Sequence, residues 1–308
     1  MTRVVFFGSG SPLSLCALEA VAGAGTLVAV VVPAGRRRGP GAGWRRRIAR
    51  WRARRPLVRR ARALGAPVLP FAPGEGARLL ARLVPLRPDL LCVATFPILL
   101  PTEVLSLAPA LGLHPSLLPR RRGPDPLFWS YFEDDRETGV TVFRMDGGED
   151  TGPIVAQENV ALPRGRGGRD VYDEIGRRGA SLLGRAVSDA AAGRLQWRPQ
   201  DEEAATRQGA PGKEQRVALA DCEREWLWHF LGGIGAHRPF VRAADGAPLL
   251  HGAVRAHAAE PRRAAGTVEP ADGAWRLHCR DGYVEVAPAA PLRALTERLA
   301  RRGTRVLA

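Results

Sequence analysis

The chain opens with Arg3-Val4-Val5-Phe6-Phe7-Gly8, a short apolar run that leads into the turn Gly8-Ser9-Gly10-Ser11-Pro12. Helical spacing of apolar residues follows over 13–22, and a second apolar run occupies 26–32. A strand, a glycine turn and a helix in this order open an α/β unit. Because Gly8-x-Gly10 is only a fragment of the dinucleotide fingerprint, a nicotinamide cofactor is not expected.

The alternation of strands and helices continues along the first half of the chain. Short apolar runs at 67–70 and 89–94 indicate strands, and residues 76–86 between them indicate a helix. Continuously apolar strands separated by helices are typical of parallel sheets covered on both faces. The sequence therefore predicts a doubly wound, Rossmann-like α/β sheet.

The texture of the sequence changes after residue 198. Residues 199–212 are a polar connector that contains Gly and Pro, and 217–231 have the spacing of one helix. From residue 239 onward, short apolar runs alternate with turns, as in a small β-barrel or sandwich. A length of 308 residues suits two domains of this kind.

Positive charge is concentrated in one segment. The formal net charge is +15, and residues 35–63 contain thirteen Arg and no acidic residue. Such a segment, predicted to be helical over 44–64, attracts polyanions such as nucleic acid or acidic lipid. A solvated basic helix without a partner would have the same composition.

Cysteine spacing and hydropathy bear on the metal content and the compartment. The four cysteines lie far apart and never form C-x-x-C, so neither a zinc site nor a disulfide framework is predicted. Free thiols fit a reducing cytoplasm. No apolar run approaches the ~20 residues that a bilayer requires, and the amino-terminal strand does not resemble a secretion signal. We expect a cytoplasmic protein without a metal or a membrane partner.

Residues suited to chemistry are concentrated in three segments: Leu113-His114-Pro115-Ser116-Leu117-Leu118-Pro119, Arg122-Gly123 and Asp150-Thr151-Gly152-Pro153. A histidine titrates near neutral pH, and a carboxylate can orient it. His114 and Asp150 therefore predict a proton-handling site over a small-molecule pocket. A purely turn-forming Asp150 is the alternative.

These motifs, taken in order, resemble those of the formyl-tetrahydrofolate-dependent formyltransferases, and most closely those of the methionyl-tRNA formyltransferases. The matches also include the opening strand with its Gly8 turn, segments 89–91, 98–101, 138–141, 145–146 and 199–206, and the carboxy-terminal 266–268 and 281–282. The resemblance implies a catalytic domain at 1–198, a linker at 199–212 and a small OB-like β-barrel at 213–308.

The resemblance also implies roles for individual residues. The activity would be formyl transfer from 10-formyltetrahydrofolate to an amine, with His114 polarising the carbonyl or moving a proton and Asp150 orienting the imidazole. Gly112 stands where the family has an asparagine, and loss of one oxyanion donor typically costs ~10²–10³ in rate. The folate pocket would be framed by Ser116, Leu117, Leu118, Pro119 and Gly123, with Phe96 and Ile98 either forming its wall or serving as plain core residues.

The preferred acceptor implied by the resemblance is initiator methionyl-tRNA. The basic loop after the second strand would contact it through Arg36, Arg37, Arg38, Trp44, Arg45 and Arg46. Two other interpretations stay open: a small-molecule N-formyltransferase acting on a sugar nucleotide or natural-product amine, and a catalytically impaired folate- or RNA-binding relative. In the last case, Gly112→Asn is expected to restore the rate. The oligomeric state does not follow from the sequence.

Overall fold

The computed structural model describes residues 1–34, 55–235, 239–260, 263–289 and 304–307. The chain is divided into two compact units. The first unit comprises 1–123, 138–160 and 172–208, and the second comprises 124–137, 161–171 and 209–308. Segments 124–137 and 161–171 thus group with the carboxy-terminal part, while the limits 1–198, 199–212 and 213–308 stay a prediction.

The first unit is built on a mixed sheet. Its strands are β1 (Arg3–Gly8), β2 (Thr26–Pro33), β3 (Val68–Phe71), β4 (Leu90–Ala94), β5 (Ala110–His114), β6 (Glu137–Arg144) and β7 (Ile154–Ala161). Their spatial order is β3-β2-β1-β4-β5-β6-β7. The pairs from β3 to β5 are all parallel, whereas β5 and β6 are antiparallel. The α/β fold with a largely parallel sheet is therefore confirmed.

Helices alternate with these strands along the chain. They are α1 (Pro12–Ala24), α2 (55–63 of the described chain), α3 (Gly76–Leu83), α4 (Thr102–Leu105), α5 (Pro126–Phe132) and α6 (Gly168–Ala191), α5 belonging to the second unit. The central strand β1 is buried from Val4 to Phe7, all 0% exposed, as its uninterrupted apolar run predicts. Ser11 caps α1 by accepting a hydrogen bond from the Ser14 N–H, which explains where the helix begins.

The second unit contains a four-stranded antiparallel sheet among its described residues. It is ordered β11 (Val254–Ala258), β14 (Gly282–Val286), β13 (Ala274–Cys279) and β12 (Val268–Ala271). Two short parallel pairs join β8 (Val217–Ala218) to β9 (Val241–Arg242) and β10 (Leu249–Leu250) to β15 (Arg305–Val306). The second unit thus contains a small antiparallel sheet. That this sheet belongs to an OB-like barrel stays a prediction.

The single helix predicted over 217–231 is wrong in its first half. Residues Val217–Ala218 pair with β9, and the helix α7 occupies Arg224–Ile234. Its start is set by Asp281, whose carboxylate accepts a hydrogen bond from the Arg224 N–H at 2.6 Å. A carboxylate at a helix amino terminus satisfies a free amide and favours the helix dipole, but this one is distant in sequence.

Candidate active site

The site lies at the carboxyl edge of the parallel strands. Strands β1, β4 and β5 end at Gly8, Ala94 and His114, and parallel strands place such ends at one edge of a sheet. The strand order reverses between β1 and β4, which is where open α/β sheets bind ligands. There the Thr95 hydroxyl contacts the Ser9 and Ser11 hydroxyls at 3.0 and 2.7 Å. This link joins the first glycine turn to the loop after β4.

His114 is held from both sides of its ring. It is 7% exposed, and its Nε2 lies 2.8 Å from the backbone oxygen of Arg121. Because a carbonyl oxygen only accepts, Nε2 donates and carries a proton. The other nitrogen, Nδ1, lies 3.4 Å from Oδ2 of Asp150. With Nε2 facing the Arg121 carbonyl, Nδ1 is the ring nitrogen that faces the Asp150 carboxylate.

Asp150 is fixed by the main chain around it. It adopts a left-handed conformation with φ +57°, which Asp tolerates better than most residues. Its Oδ2 accepts a hydrogen bond from the Gly123 N–H at 2.9 Å. Gly123 has φ +94°, and a Cβ there would come within 2.6 Å of the Gln208 carbonyl oxygen. Glycine is required at 123 both by its conformation and by this close approach.

The segment from Ser116 to Pro119 is anchored on strand β6. The Thr141 hydroxyl donates to the Ser116 carbonyl at 2.7 Å and accepts from the Leu118 N–H at 3.2 Å. Gln157 adds a hydrogen bond to the Leu118 carbonyl at 2.7 Å. Leu118 is 2% exposed, and the Leu118–Pro119 peptide bond is cis. The loop that follows His114 is thus tied by hydrogen bonds to strands β6 and β7.

The space beside Gly112 is filled by a neighbouring ring. Gly112 pairs with Phe143 across β5 and β6, on the same face as His114 two residues later. A Cβ at 112 would lie 2.5 and 2.6 Å from two carbons of the Phe143 ring. Phe143 is 3% exposed and packs with Leu118 and Ile154. An asparagine side chain cannot enter position 112 unless this ring moves.

The remaining predicted pocket residues are less closely tied to His114. Phe96 and Ile98 follow β4 and pack against the core of the first unit. The Phe96 ring stands edge-on to Phe7 at 5.6 Å and stacks on Phe71 at 6.3 Å. Leu117 lies against Gly139, where a Cβ would clash with its side chain. The predicted nucleic-acid residues Arg36, Arg37, Arg38, Trp44, Arg45 and Arg46 lie outside the described residues.

One buried cluster has no role assigned to it by the sequence motifs. Arg122 is 7% exposed, and its guanidinium donates to the Gln200 side-chain oxygen at 2.8 and 3.1 Å. It also donates to both carboxylate oxygens of Glu202 at 2.8 and 2.7 Å. Hydrogen bonding to Arg122 holds the pKa of Glu202 below its usual value. The sequence motif that could have pointed to this cluster is Pro199-Gln200-Asp201-Glu202. The sequence analysis used it only as part of the family resemblance and placed it in the linker.

Neither a metal cluster nor a membrane-spanning helix is found in the described part of the chain. No group of three or more His, Cys, Asp or Glu side chains has an arrangement that could hold a metal ion among those residues. None of the helices in the described ranges is long and apolar enough to cross a bilayer.

The sequence matches known proteins over its amino-terminal two thirds. A family model described as formyl transferase matches residues 2–187. The methionyl-tRNA formyltransferase of Chloroflexus aggregans (strain MD-66 / DSM 9485) is 38% identical over 212 residues, which cover 66% of this chain and 64% of that protein. The match therefore spans slightly less than two thirds of the relative's length.

Solved structures share the fold at low identity. HypX from Aquifex aeolicus in complex with tetrahydrofolic acid aligns with a TM-score of 0.63 at 16% identity, covering 92% of this chain and 43% of that one. An N-formyltransferase from Helicobacter canadensis, in complex with folinic acid and dTDP-3-aminofucose, aligns with a TM-score of 0.63 at 13% identity, covering 93% and 99%. Since the family model matches more than half of the residues, the chain belongs to the formyl transferase family.

Proposed function

We propose that this protein transfers a formyl group from 10-formyltetrahydrofolate to an amine, preferably the amino group of methionyl-tRNA. The observation that carries the proposal is the His114–Asp150 pair at the carboxyl edge of the sheet, with Nδ1 and Oδ2 3.4 Å apart. The similarity to a methionyl-tRNA formyltransferase supports the choice of acceptor.

The reaction needs groups that handle one proton and one developing negative charge. The amine nitrogen bonds to the formyl carbon, the bond from that carbon to the folate nitrogen breaks, and one proton passes from the amine to the folate nitrogen. A small group placed beside Nδ1 of His114 and Oδ2 of Asp150 would lie within reach of both. We assign the transfer of the amine proton to this pair.

The oxyanion of the tetrahedral intermediate requires a different donor from the one that the family's asparagine supplies. Gly112 has no side chain, and Phe143 fills the adjacent space. We assign this role to His114: the imidazolium that forms when Nδ1 takes the amine proton would donate its Nδ1–H to the oxyanion. Catalysis would then be slower than with a dedicated amide donor.

The other predicted residues complete the proposed binding regions. The folate would occupy a pocket framed by the 116–119 loop and Gly123, with Phe96 and Ile98 behind it. The region 213–308 would form the OB-like domain, and the basic segment around Arg36–Arg38 and Trp44–Arg46 would hold tRNA phosphates. A cytoplasmic location remains part of this proposal.

The decisive experiment follows labelled formyl from the folate donor into charged tRNA and into a panel of small amines. We expect formyl-methionyl-tRNA, with binding of tRNA weakened as salt rises because phosphate contacts release counterions. Replacing His114 by Ala should lower the rate about 10²–10⁴-fold. An unchanged rate in His114→Ala would refute the site assignment.

A small-molecule N-formyltransferase is the second candidate. It is favoured by the fold likeness that extends over 99% of an N-formyltransferase solved with a sugar nucleotide. Formylation of a free amine, with no response to tRNA, would select it. Folate binding without turnover of any acceptor would instead identify a non-catalytic relative.

A further inference from the structure

Segment 198–208 lies against both loops that hold His114 and Asp150, all within the first unit. We propose that Gln200, supported by Arg122, is a positioning residue that sets the geometry of the His114–Asp150 pair, so that the predicted linker is a working part of the active site. The expected effect of Gln200 on the formyl-transfer rate rests on the proposed function, whereas its hydrogen bonds to the Asp150 turn do not.

The Gln200 carboxamide is fully engaged and 9% exposed. Its nitrogen donates to the backbone oxygens of Asp150 and Gly152 at 2.8 and 2.7 Å. Its oxygen accepts from Arg122. Because carbonyls only accept and a guanidinium only donates, these partners fix the orientation of the amide. Glutamine supplies both two donors and an acceptor, which neither Glu nor Lys does.

Gln200 thereby holds the turn that presents the Asp150 carboxylate. The two accepting carbonyls lie on either side of Thr151, and Asp150 itself has φ +57°. A non-glycine residue in this region is maintained by the surrounding contacts. Loss of the two donors would free this turn and with it the position of Oδ2 relative to Nδ1 of His114.

The same segment holds the loop on the other side of His114. Thr206 accepts a hydrogen bond from the Arg121 N–H with its hydroxyl at 2.9 Å and from the Arg122 N–H with its carbonyl at 2.9 Å. The Arg121 carbonyl in turn accepts from Nε2 of His114. Both partners of the imidazole are thus fixed from one short stretch of the chain.

Arg122 is the electrostatic support of this arrangement. Its side chain is 7% exposed, and its charge is matched by Glu202, which is 68% exposed. A buried guanidinium is costly unless its donors are paired, and here Gln200 and Glu202 receive them. Gln200 therefore connects a paired buried charge to the backbone of the Asp150 turn.

The test compares Gln200→Glu and Gln200→Met with wild type and with the control Glu203→Gln. Glu203 is exposed on the same segment, so Glu203→Gln makes the reverse of the Gln200→Glu exchange at an exposed side chain. The first readout is the pH titration of the His114 imidazole by ¹H–¹⁵N NMR, assigned by its loss in His114→Gln. The second is the formylation assay, resolved into kcat and KM.

We expect the His114 titration and its ring-nitrogen signals to shift in both Gln200 variants and to stay unchanged in Glu203→Gln. In the two Gln200 variants, kcat should fall about 10²-fold, which is the usual effect of misplacing a catalytic group. The KM for the folate should change less. Circular dichroism identifies any variant that fails to fold, and the Gln200→Met variant keeps the shape without adding a charge.

Coincident His114 titrations in folded Gln200→Glu, Gln200→Met and wild type would overturn the positioning role. That readout needs no acceptor, so it distinguishes failure of this inference from failure of the proposed function. If wild type formylates no acceptor while the Gln200 variants show the NMR shifts, the proposed function alone is refuted.

Discussion

At the residue scale, Gly112 is the departure from the family motif with the largest chemical consequence, and it pairs with Phe143. The two residues are directly opposite in β5 and β6, and the ring occupies the space of a side chain at 112. The absence of an amide side chain at 112 therefore goes together with a phenylalanine ring packed at 143. The expectation that Gly112→Asn alone restores the rate has to be revised for this steric reason.

We predict that Gly112→Asn alone lowers the free energy of unfolding by about 1–3 kcal/mol, the usual cost of overpacking a core. It should not raise the formylation rate, because the new amide cannot reach the site past the ring. Denaturant unfolding and the labelled-formyl assay measure the two effects.

The matched variants are Phe143→Ala and the double variant Gly112→Asn/Phe143→Ala. In a double-mutant cycle, the double variant should lose less free energy of unfolding than the sum of the losses in the two single variants. Additive losses, or a single Gly112→Asn variant that is both as stable as wild type and faster, would contradict the steric account.

At the element scale, strand β6 acts as the support of the 116–119 loop. One hydroxyl, that of Thr141, meets the Ser116 carbonyl, the Leu118 N–H and the Gln157 amide, at 2.7, 3.2 and 2.8 Å. The backbone of a strand residue is fixed by the sheet, which also fixes the direction of its side chain. Such a side chain is suited to hold a neighbouring loop. The loop geometry therefore depends on β6 rather than on the loop sequence alone.

We predict that Thr141→Val lowers the free energy of unfolding by about 1–3 kcal/mol, since it leaves buried loop groups without a partner. If the loop frames the folate, the KM for the formyl donor should rise as well. Thermal unfolding and initial rates at varied folate concentration provide the measurements.

Thr138→Val is the control on the same strand. Thr138 is 3% exposed, and its hydroxyl has no hydrogen-bond partner among the described residues. Removing that hydroxyl should be neutral or slightly stabilising, because a buried polar group without a partner is unfavourable. Equal losses in the two variants would show that the loop contacts do not carry the effect.

At the scale of the whole molecule, buried histidines link stability to pH. His229 in the second unit is 0% exposed, with Nδ1 accepting from the Gly165 N–H at 3.2 Å and Nε2 4.0 Å from Asp134. Burial lowers the pKa of His229, an effect that Arg164 and Arg136 reinforce and Asp134 opposes. Burial also lowers the pKa of His257.

We predict that the free energy of unfolding is lower at pH 5 than at pH 7.5. A histidine whose pKa is depressed in the folded state binds its proton first in the unfolded state, near pH ~6.5, so stability is lost as the pH falls below that value. His229→Asn should reduce this dependence, because asparagine offers an acceptor to Gly165 and does not titrate.

The measurement is urea unfolding of wild type and His229→Asn across this pH range. The variant should retain a smaller slope that arises from His257. Identical pH dependence in the two proteins would show that His229 does not contribute.

The sequence alone indicated the first four strands of the sheet with the helices between them, the family, and His114 and Asp150 as candidate catalytic residues. Those features are local: an apolar run, a glycine turn or a short motif is recognised from adjacent residues. The helix start at Arg224, the ring of Phe143 over Gly112 and the Gln200–Arg122 cluster were decided by the tertiary structure. Each depends on partners 31 to 78 positions apart in the chain, brought together by the paired strands and packed loops. No local pattern records such a pairing, because its free energy exists only once the strands and loops have been assembled.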